Sequence, residues 1–350
     1  MSGRNRRSGV FGAGMTAGLC FVLLGGALAL SLCVGAKKIT FSELAGALFA
    51  FDPGNKNHVI LRTLRIPRTF AAAAVGSSLA VSGSLMQAAT RNPMASPSVL
   101  GINAGAGLGL ALAMIVCPAA SFNVTVLFSF GGAGAAAGII FLIAAFSRAG
   151  STPVGLALAG TAITALFHAV SQALAMFFNI SQELTFWNAG GISGVRPQQA
   201  AMLLPWTAAG LLLALLMAGQ VSLLSLGEET AVGLGGKIRR IRFMSMAAVL
   251  ILTGSSVAIA GPISFVGLVV PHGVRFLAGA DYRKVIPCSV LGGALLVVAA
   301  DIISRLIHPP FETPAGAVTA LIGVPFFIWL ASGKGGHKWD RSKESEGVFF

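Results

Sequence analysis

Acidic residues are what this chain most conspicuously lacks. It has 11 Asp and Glu in 350 residues, and none between Asp52 and Glu183. Charged residues of both signs make up 10% of the chain, where a soluble domain carries about 25%. Cysteine is scarce too: Cys20, Cys33, Cys117 and Cys288 stand apart, with no C-x-x-C. That spacing excludes a disulfide or metal framework and reads as buried thiols. There is no H-E-x-x-H among the five histidines and no Walker A loop, so neither a zinc hydrolase nor an ATPase is written here. Paired acids or a nucleophile beside a base are also missing, which argues against catalysis.

What the chain has is apolar length. Hydrophobic residues make up 55% of it, and the mean hydropathy is +0.84. That composition describes an all-α polytopic membrane protein with no room for a large soluble domain. The net charge of +13 would suggest nucleic acid in a soluble protein. Here it reads as loop charge that sets topology, with no nucleic-acid partner.

A span needs about 20 apolar residues. Ten candidates follow one another: 11–36, 69–90, 97–117, 123–147, 153–178, 199–220, 242–260, 263–278, 285–306 and 315–332. The eighth is short and holds Pro271 and His272. The expected organisation is a cytoplasmic N-terminus over 1–10, one transmembrane domain over 11–332, and a polar tail over 333–350. Arg4, Arg6 and Arg7 ahead of the first run resemble a signal peptide, and Val34-Gly35-Ala36 a cleavage site. The run is long for that, so it is read as an uncleaved first helix starting in the cytoplasm.

With both termini inside, 16 basic residues fall inside and eight outside, as the positive-inside rule requires. The local exception is the first outer loop, with Lys37, Lys38, Lys56, Arg62, Arg65 and Arg68. An acidic docking partner would explain that cluster, and so would a long loop that translocates regardless of charge. Glycine is plentiful, with 45 residues. The series Gly76, Ala80, Gly83, Ser84 and the run 131–138 put small residues at helical spacing, where backbones approach closely.

A secondary transporter keeps ionisable groups in mid-membrane, and this chain has almost none. The clearest is Asp301, with Arg305 one turn later on the same face. They form either an internal pair near the outer surface or an arginine held outward for docking. A chain without coupling charges draws its energy from another subunit or is a passive pore. The loop SLLSLGEETAVGLGGKIRRIR over 222–242 reads as short helices bracketed by glycine. Its Glu228 and Glu229 suit a helical first turn, and a compact helix of this kind suits a groove on a partner.

Six ordered blocks carry a family resemblance across about residues 40–332. They are R-x-P-R at 65–68 with GSSLAVSGSLMQ, RNPMASPSVLGINAGAG, LGEETAVGLG, GPISFVGLVVPHGVRFLAGADYRKVIP, ADIISR, and FETPAGAVTALIGVPFFIWL. Together they resemble the permease subunits of the ferric-siderophore, haem and cobalamin ABC importers, the type II importers. The resemblance implies about ten helices per subunit and a second permease copy, in a homodimer or with a paralogue. It implies a cytoplasmic ABC ATPase dimer and a periplasmic substrate-binding protein, in a bacterial inner membrane. ATP and Mg would be bound by the ATPase subunits, leaving this chain without a cofactor, a metal site or catalytic residues.

By the same resemblance Arg65, Arg68 and Arg305 meet acidic residues of the binding protein. Gly227, Glu228, Glu229, Thr230, Ala231, Gly233 and Gly235 form the coupling segment seated on the ATPase. Asn92, Pro93 and Met94 match the turn at the cytoplasmic gate, where the alternative is a purely structural cap. A second gate segment falls near Ser151 and Thr152. Pro271, His272 and Arg275 match a PHxxR block, with His272 structural rather than an iron ligand. Trp187 reads as a membrane-interface anchor. The implied cargo is a bulky metal chelate, with ferric siderophore ahead of haem or cobalamin; an ion-coupled secondary transporter and a non-transporting scaffold are the rivals.

Overall fold

The computed structural model describes residues 10–35, 37, 39–98, 101–119, 121–146, 153–309 and 311–332. The segment near Ser151 and Thr152, the N-terminal 1–9 and the tail 333–350 lie outside the described residues.

Every described regular element is helical. In chain order they are α1 (Ala13–Cys33), α2 (Phe41–Phe49), α3 (Lys56–Ile60), a π-helical turn (Leu61–Arg65), α4 (Ile66–Thr90), α5 (Ile102–Val116), α6 (Phe122–Phe146) and α7 (Pro153–Phe177). There follow α8 (Ser181–Asn188), α9 (Pro197–Ser225), α10 (Glu228–Gly233), α11 (Ile238–Ala260), α12 (Val266–Ala278), α13 (Tyr282–Leu306) and α14 (Ala315–Ala331). All ten apolar candidates coincide with helices. Seven are long and apolar enough to cross a membrane, and α5, α12 and α14 are shorter.

The shortest has a physical reason. At 1.5 Å per residue, the 13 residues of α12 reach only about 20 Å, against about 30 Å of hydrocarbon. The extended stretch before it, 261–264, completes the distance. Non-helical backbone at such depth survives only where protein satisfies it. Here the Gly191 N–H donates to the Ala260 carbonyl at 2.8 Å, and the Gly316 N–H to that of Gly190 at 3.1 Å. The Gln87 amide donates to the Gly267 carbonyl at 3.2 Å.

Helix α4 is the hub. Twenty of its 25 residues are buried, and α1, α9, α11, α12 and α13 pack around it. Its sequence explains this, because Ala, Ser and Gly on every face leave no bulky side to keep neighbours away. A Cβ on Gly76 would fall 2.1 Å from the Gly293 carbonyl oxygen, and one on Gly83 would fall 1.9 Å from that of Gly267. Backbones therefore touch between α4 and α13 and between α4 and α12. Hydroxyls add polar contacts across the same seams: Ser77 donates to the Val290 carbonyl at 2.8 Å, and Ser84 and Ser289 lie 3.1 Å apart.

The start of α4 is set by Pro67, which lacks the amide hydrogen for an ordinary turn. The chain widens there into the π-helical turn, and the Ile66 N–H reaches back to the Leu61 carbonyl. The end is set by Arg91 in the left-handed region at φ 51, followed by Asn92-Pro93, which cannot continue the helix. Contacts sort the connections to two ends of the bundle. One end gathers the segments 34–65, 178–196 and 307–314. The other gathers the α9–α10–α11 connection and the α12–α13 turn, joined by Ser222 and Asp281.

Candidate functional site

At the first end two arginines and two carboxylates form one network, with a third arginine beside it. Asp301 is fully buried and accepts from Arg68 Nε at 2.9 Å and from Arg68 NH2 at 2.8 Å. One turn along α13, Arg305 also pairs with Asp301. The remaining nitrogen of Arg68, NH1, donates to both oxygens of Glu312 at 2.7 and 2.9 Å. Arg305 reaches onward to the Ser31 carbonyl at 3.0 Å, and Ser31 and Thr69 share a hydrogen bond of 2.8 Å. The network thus ties α1, α4 and α13 together where each meets the loop end.

Among the described residues Arg65 makes no ion pair. Its NH1 donates to the Leu32 carbonyl at 2.7 Å and its NH2 to that of Lys37. It fastens the exit of α1 to the π-helical turn. Three cations against two carboxylates leave the cluster one positive charge in surplus, and Glu312, with 39% of its side chain exposed, is its outermost member.

Arg65, Arg68 and Arg305, which the family resemblance assigns to docking, do not stand free at the surface of this chain. All three are buried, because internal acceptors at helix ends satisfy them better than an apolar rim would. Of the two readings open for Arg305, the internal pair with Asp301 is the one seen. Among the described residues the cations exposed at this end are Lys37, Lys56, Arg62 and Arg196; Arg62 lies over the Phe51 ring at 4.3 Å. Sequence reasoning missed Glu312. The signal was there: between Thr230 and Gly333 the only acids are Asp281, Asp301 and Glu312, and each is engaged.

At the second end Asn92, Pro93 and Met94 form a tight turn. Asn92 Oδ1 accepts from the Met94 N–H at 2.9 Å, and the Asn92 carbonyl from the Ala95 N–H at 3.1 Å. This is the side-chain-to-backbone turn that asparagine before proline favours. Met94 is half-buried.

The segment 227–235 contains the one-and-a-half-turn helix α10, flanked by Gly227 at φ 126 and Gly235 at φ 79. Both are conformations that residues with a Cβ rarely adopt. Ala231 is buried and anchors the segment, while Glu229, Thr230, Gly233 and Gly235 are exposed. Glu228 opens the helix, and its side chain lies outside the described residues. Val232 at 60% and Leu234 at 62% exposure give the segment an apolar face beside its acids.

Trp187 differs from expectation as well. It turns inward: a Cβ on Gly107 would meet its ring at 2.9 Å, and one on Gly261 its carbonyl oxygen at 2.2 Å. It fills the junction of α5, α8 and α11. His272 packs edge-on against Phe326, with ring centres 5.7 Å apart, as a structural residue would. Among the described residues no group of three or more His, Cys, Asp or Glu could hold a metal ion.

The FecCD transport family model matches residues 22–332. This chain belongs to that family. It is 48% identical over 317 residues to the iron(3+)-hydroxamate import system permease protein FhuB of Bacillus subtilis, covering 91% of this chain and 82% of that one. It is 46% identical over 306 residues to the Fe(3+)-citrate import system permease protein YfmD of the same organism, covering 87% and 90%. The fold matches a metal-chelate type ABC transporter solved in an inward-facing conformation, with TM-score 0.77 and 26% identity over 91% of this chain and 99% of that one. As a FecCD family member with seven spanning-length apolar helices, this protein is a multi-pass membrane transport subunit.

Proposed function

We propose that this FecCD chain is the permease of an ATP-driven importer of a ferric siderophore, with hydroxamate-type chelates first in line. The observation that carries the reading is the 48% identity to a hydroxamate permease through 317 residues. The N- and C-termini face the cytoplasm of a bacterial inner membrane, as the basic-residue bias favours. ATP and Mg are bound by a separate ABC ATPase dimer. A second copy of the permease, or a paralogue, completes the channel. The apolar residues exposed on α7 and α14, among them Leu166, Met176, Leu321 and Ile328, suit that partner or lipid.

A periplasmic binding protein docks on the loop end. Lys37, Lys56 and Arg62 attract its acidic surface, since grouped surface charges steer association more than they tighten it. Arg68 is the specific contact: a carboxylate of the binding protein takes the place that Glu312 holds in this structure. Arg65 and Arg305 keep the platform in shape from beneath. At the cytoplasmic end α10 enters a groove on the ATPase, with Glu229, Thr230, Val232 and Leu234 outward and Ala231 inward. Asn92, Pro93 and Met94 form one lip of the cytoplasmic gate, where methionine is an adaptable apolar plug.

The test is uptake into proteoliposomes holding this chain, its ATPase and its binding protein. Ferric hydroxamate, ferric citrate, haem and cobalamin are offered separately. Accumulation of a ferric chelate that needs ATP and the binding protein supports the reading; accumulation of haem or cobalamin alone replaces the cargo. Uptake that an ionophore abolishes with ATP intact replaces the energy source.

A further inference from the structure

Ser222 lies one turn before the end of α9, five residues ahead of Gly227. Its hydroxyl donates to Asp281 Oδ1 at 2.8 Å and accepts from the Tyr282 N–H at 2.8 Å. Asp281 is at the same time the N-cap of α13, accepting from the Arg283 N–H at 3.0 Å. The Arg283 side chain crosses back to α9 at Gly219, where a Cβ would lie 3.1 Å from its NH2. Arg275, near the end of α12, donates to the Tyr282 hydroxyl at 3.4 Å. One serine thus joins the stem of α10 to the first turn of α13 with both of its hydrogen-bonding functions.

From that joint α13 runs as one helix to Leu306, with Pro287 in its second turn. The 20 residues from Asp281 to Asp301 span about 30 Å at 1.5 Å each, the thickness of a bilayer core. Asp301 and Arg305 are therefore at the far end of the helix whose near end Ser222 holds. The same helix touches α4 backbone to backbone at Gly76 and Gly293, so it transmits displacement instead of bending around it.

We infer that Ser222 is a positioning residue for transport. Through Asp281 and Tyr282 it couples movement of α10 to α13, and through α13 to the Arg68–Asp301–Glu312 network that faces the binding protein. The inference rests on the reading of α10 as the segment seated on the ATPase. It assigns the route between the two ends of the molecule to one helix and its serine joint. Binding free energies couple reciprocally, so docking at the loop end alters nucleotide affinity on the ATPase through the same joint.

The experiment uses the full complex in proteoliposomes and reads basal ATP hydrolysis, hydrolysis stimulated by the loaded binding protein, and chelate imported per ATP. Ser222→Ala is expected to leave ATPase assembly and basal hydrolysis unchanged. It should lower stimulation and import per ATP by about fivefold or more, the low end of ordinary allosteric coupling. Ser222→Thr, which keeps the hydroxyl, should restore both. Unchanged stimulation in Ser222→Ala, or equal loss in both variants, overturns the inference.

If Ser222→Ala does not assemble, Asp281→Asn takes its place. It keeps the cap but halves the acceptor strength, so a loss of about twofold supports the inference and no loss overturns it. Val232→Glu separates the two readings. If that variant keeps the ATPase bound and stimulated, the role of α10 itself fails. If it releases the ATPase while Ser222→Ala is silent, only the serine joint fails.

Discussion

Arg68 and Asp301, 233 residues apart in sequence, meet through two nitrogens of one guanidinium and a carboxylate with no exposed surface. Removing one partner of such a pair leaves a buried charge uncompensated, which costs about 3–5 kcal/mol. Asp301→Ala should therefore lower the thermal stability of the detergent-solubilised protein sharply. Asp301→Ala combined with Arg68→Met should recover part of it. Equal melting of Asp301→Ala and wild type would show that the pair carries no stability.

Glu312 closes the network from the solvent side. Glu312→Gln should free Arg68 for an incoming carboxylate and tighten binding-protein association severalfold, chiefly through a slower off-rate. Arg68→Ala should weaken it. Surface plasmon resonance on nanodisc-held protein reads both. Weaker association for Glu312→Gln would mean that Glu312 orders the platform instead of occupying its site.

Not all glycines are alike in this fold. Gly83→Val should prevent folding, since even its Cβ would overlap the Gly267 carbonyl at 1.9 Å. Gly134→Ala, with nothing within 4 Å of the new Cβ, should be neutral or stabilise by up to about 1 kcal/mol through helix propensity. Yield and monodispersity on size exclusion report the first, and a thermal melt the second.

The apolar face of α10 gives an assembly prediction. Val232→Asp with Leu234→Asp should reduce co-purification of the ATPase by at least about tenfold, as expected when two apolar contacts of an interface are replaced by charge. Glu229→Lys should reduce it less, because an exposed pair contributes about 1 kcal/mol or less.

Asp281 supplies a pH prediction. Burial raises its pKa, but hydrogen bonds from the Arg283 N–H and the Ser222 hydroxyl, with the charges of Arg283 and Lys284, outweigh that and hold it below the ordinary aspartate value. A depressed value means that its contribution is present above the unfolded pKa, about 3.9, and is lost as pH falls through the folded one. The joint with Ser222 should therefore be intact at about pH 5. Infrared difference spectra between wild type and Asp281→Asn should show the carboxylate band still present there; its loss would contradict the hydrogen-bond assignment.

Much of this architecture was legible in the sequence, and the reasons are local. Ten apolar runs become ten helices because hydropathy is read along the chain, and Asp301 with Arg305 was visible because i and i+4 share a face. The Asn92 turn followed from its neighbouring proline. Glu312 was not legible as the partner of Arg68, nor Ser222 as that of Asp281. Both contacts join distant segments, and the only hint was how few acids the chain contains. Loop charge for Arg65 and Arg68, and the family resemblance for all three arginines, say which end they occupy but not whether they face water or a carbonyl. Trp187 misled for the same reason: its ring fills space created by Gly107, 80 positions earlier.

The glycine contacts of α4 also limit how this protein can move. Helices whose backbones already touch cannot come closer, and hydrogen bonds of Ser77 and Ser84 across the α4–α13 seam and of Gln87 across the α4–α12 seam oppose their parting. The group α4, α12 and α13 therefore behaves as one solid block. Among the described residues helix α7 packs chiefly on α5, α6 and α8, and α14 chiefly on α12 and α13. Internal rearrangement therefore falls to these outlying helices and to the seam with a second subunit, while α4, α12 and α13, with the Asn92 turn at the end of α4, shift together as one body.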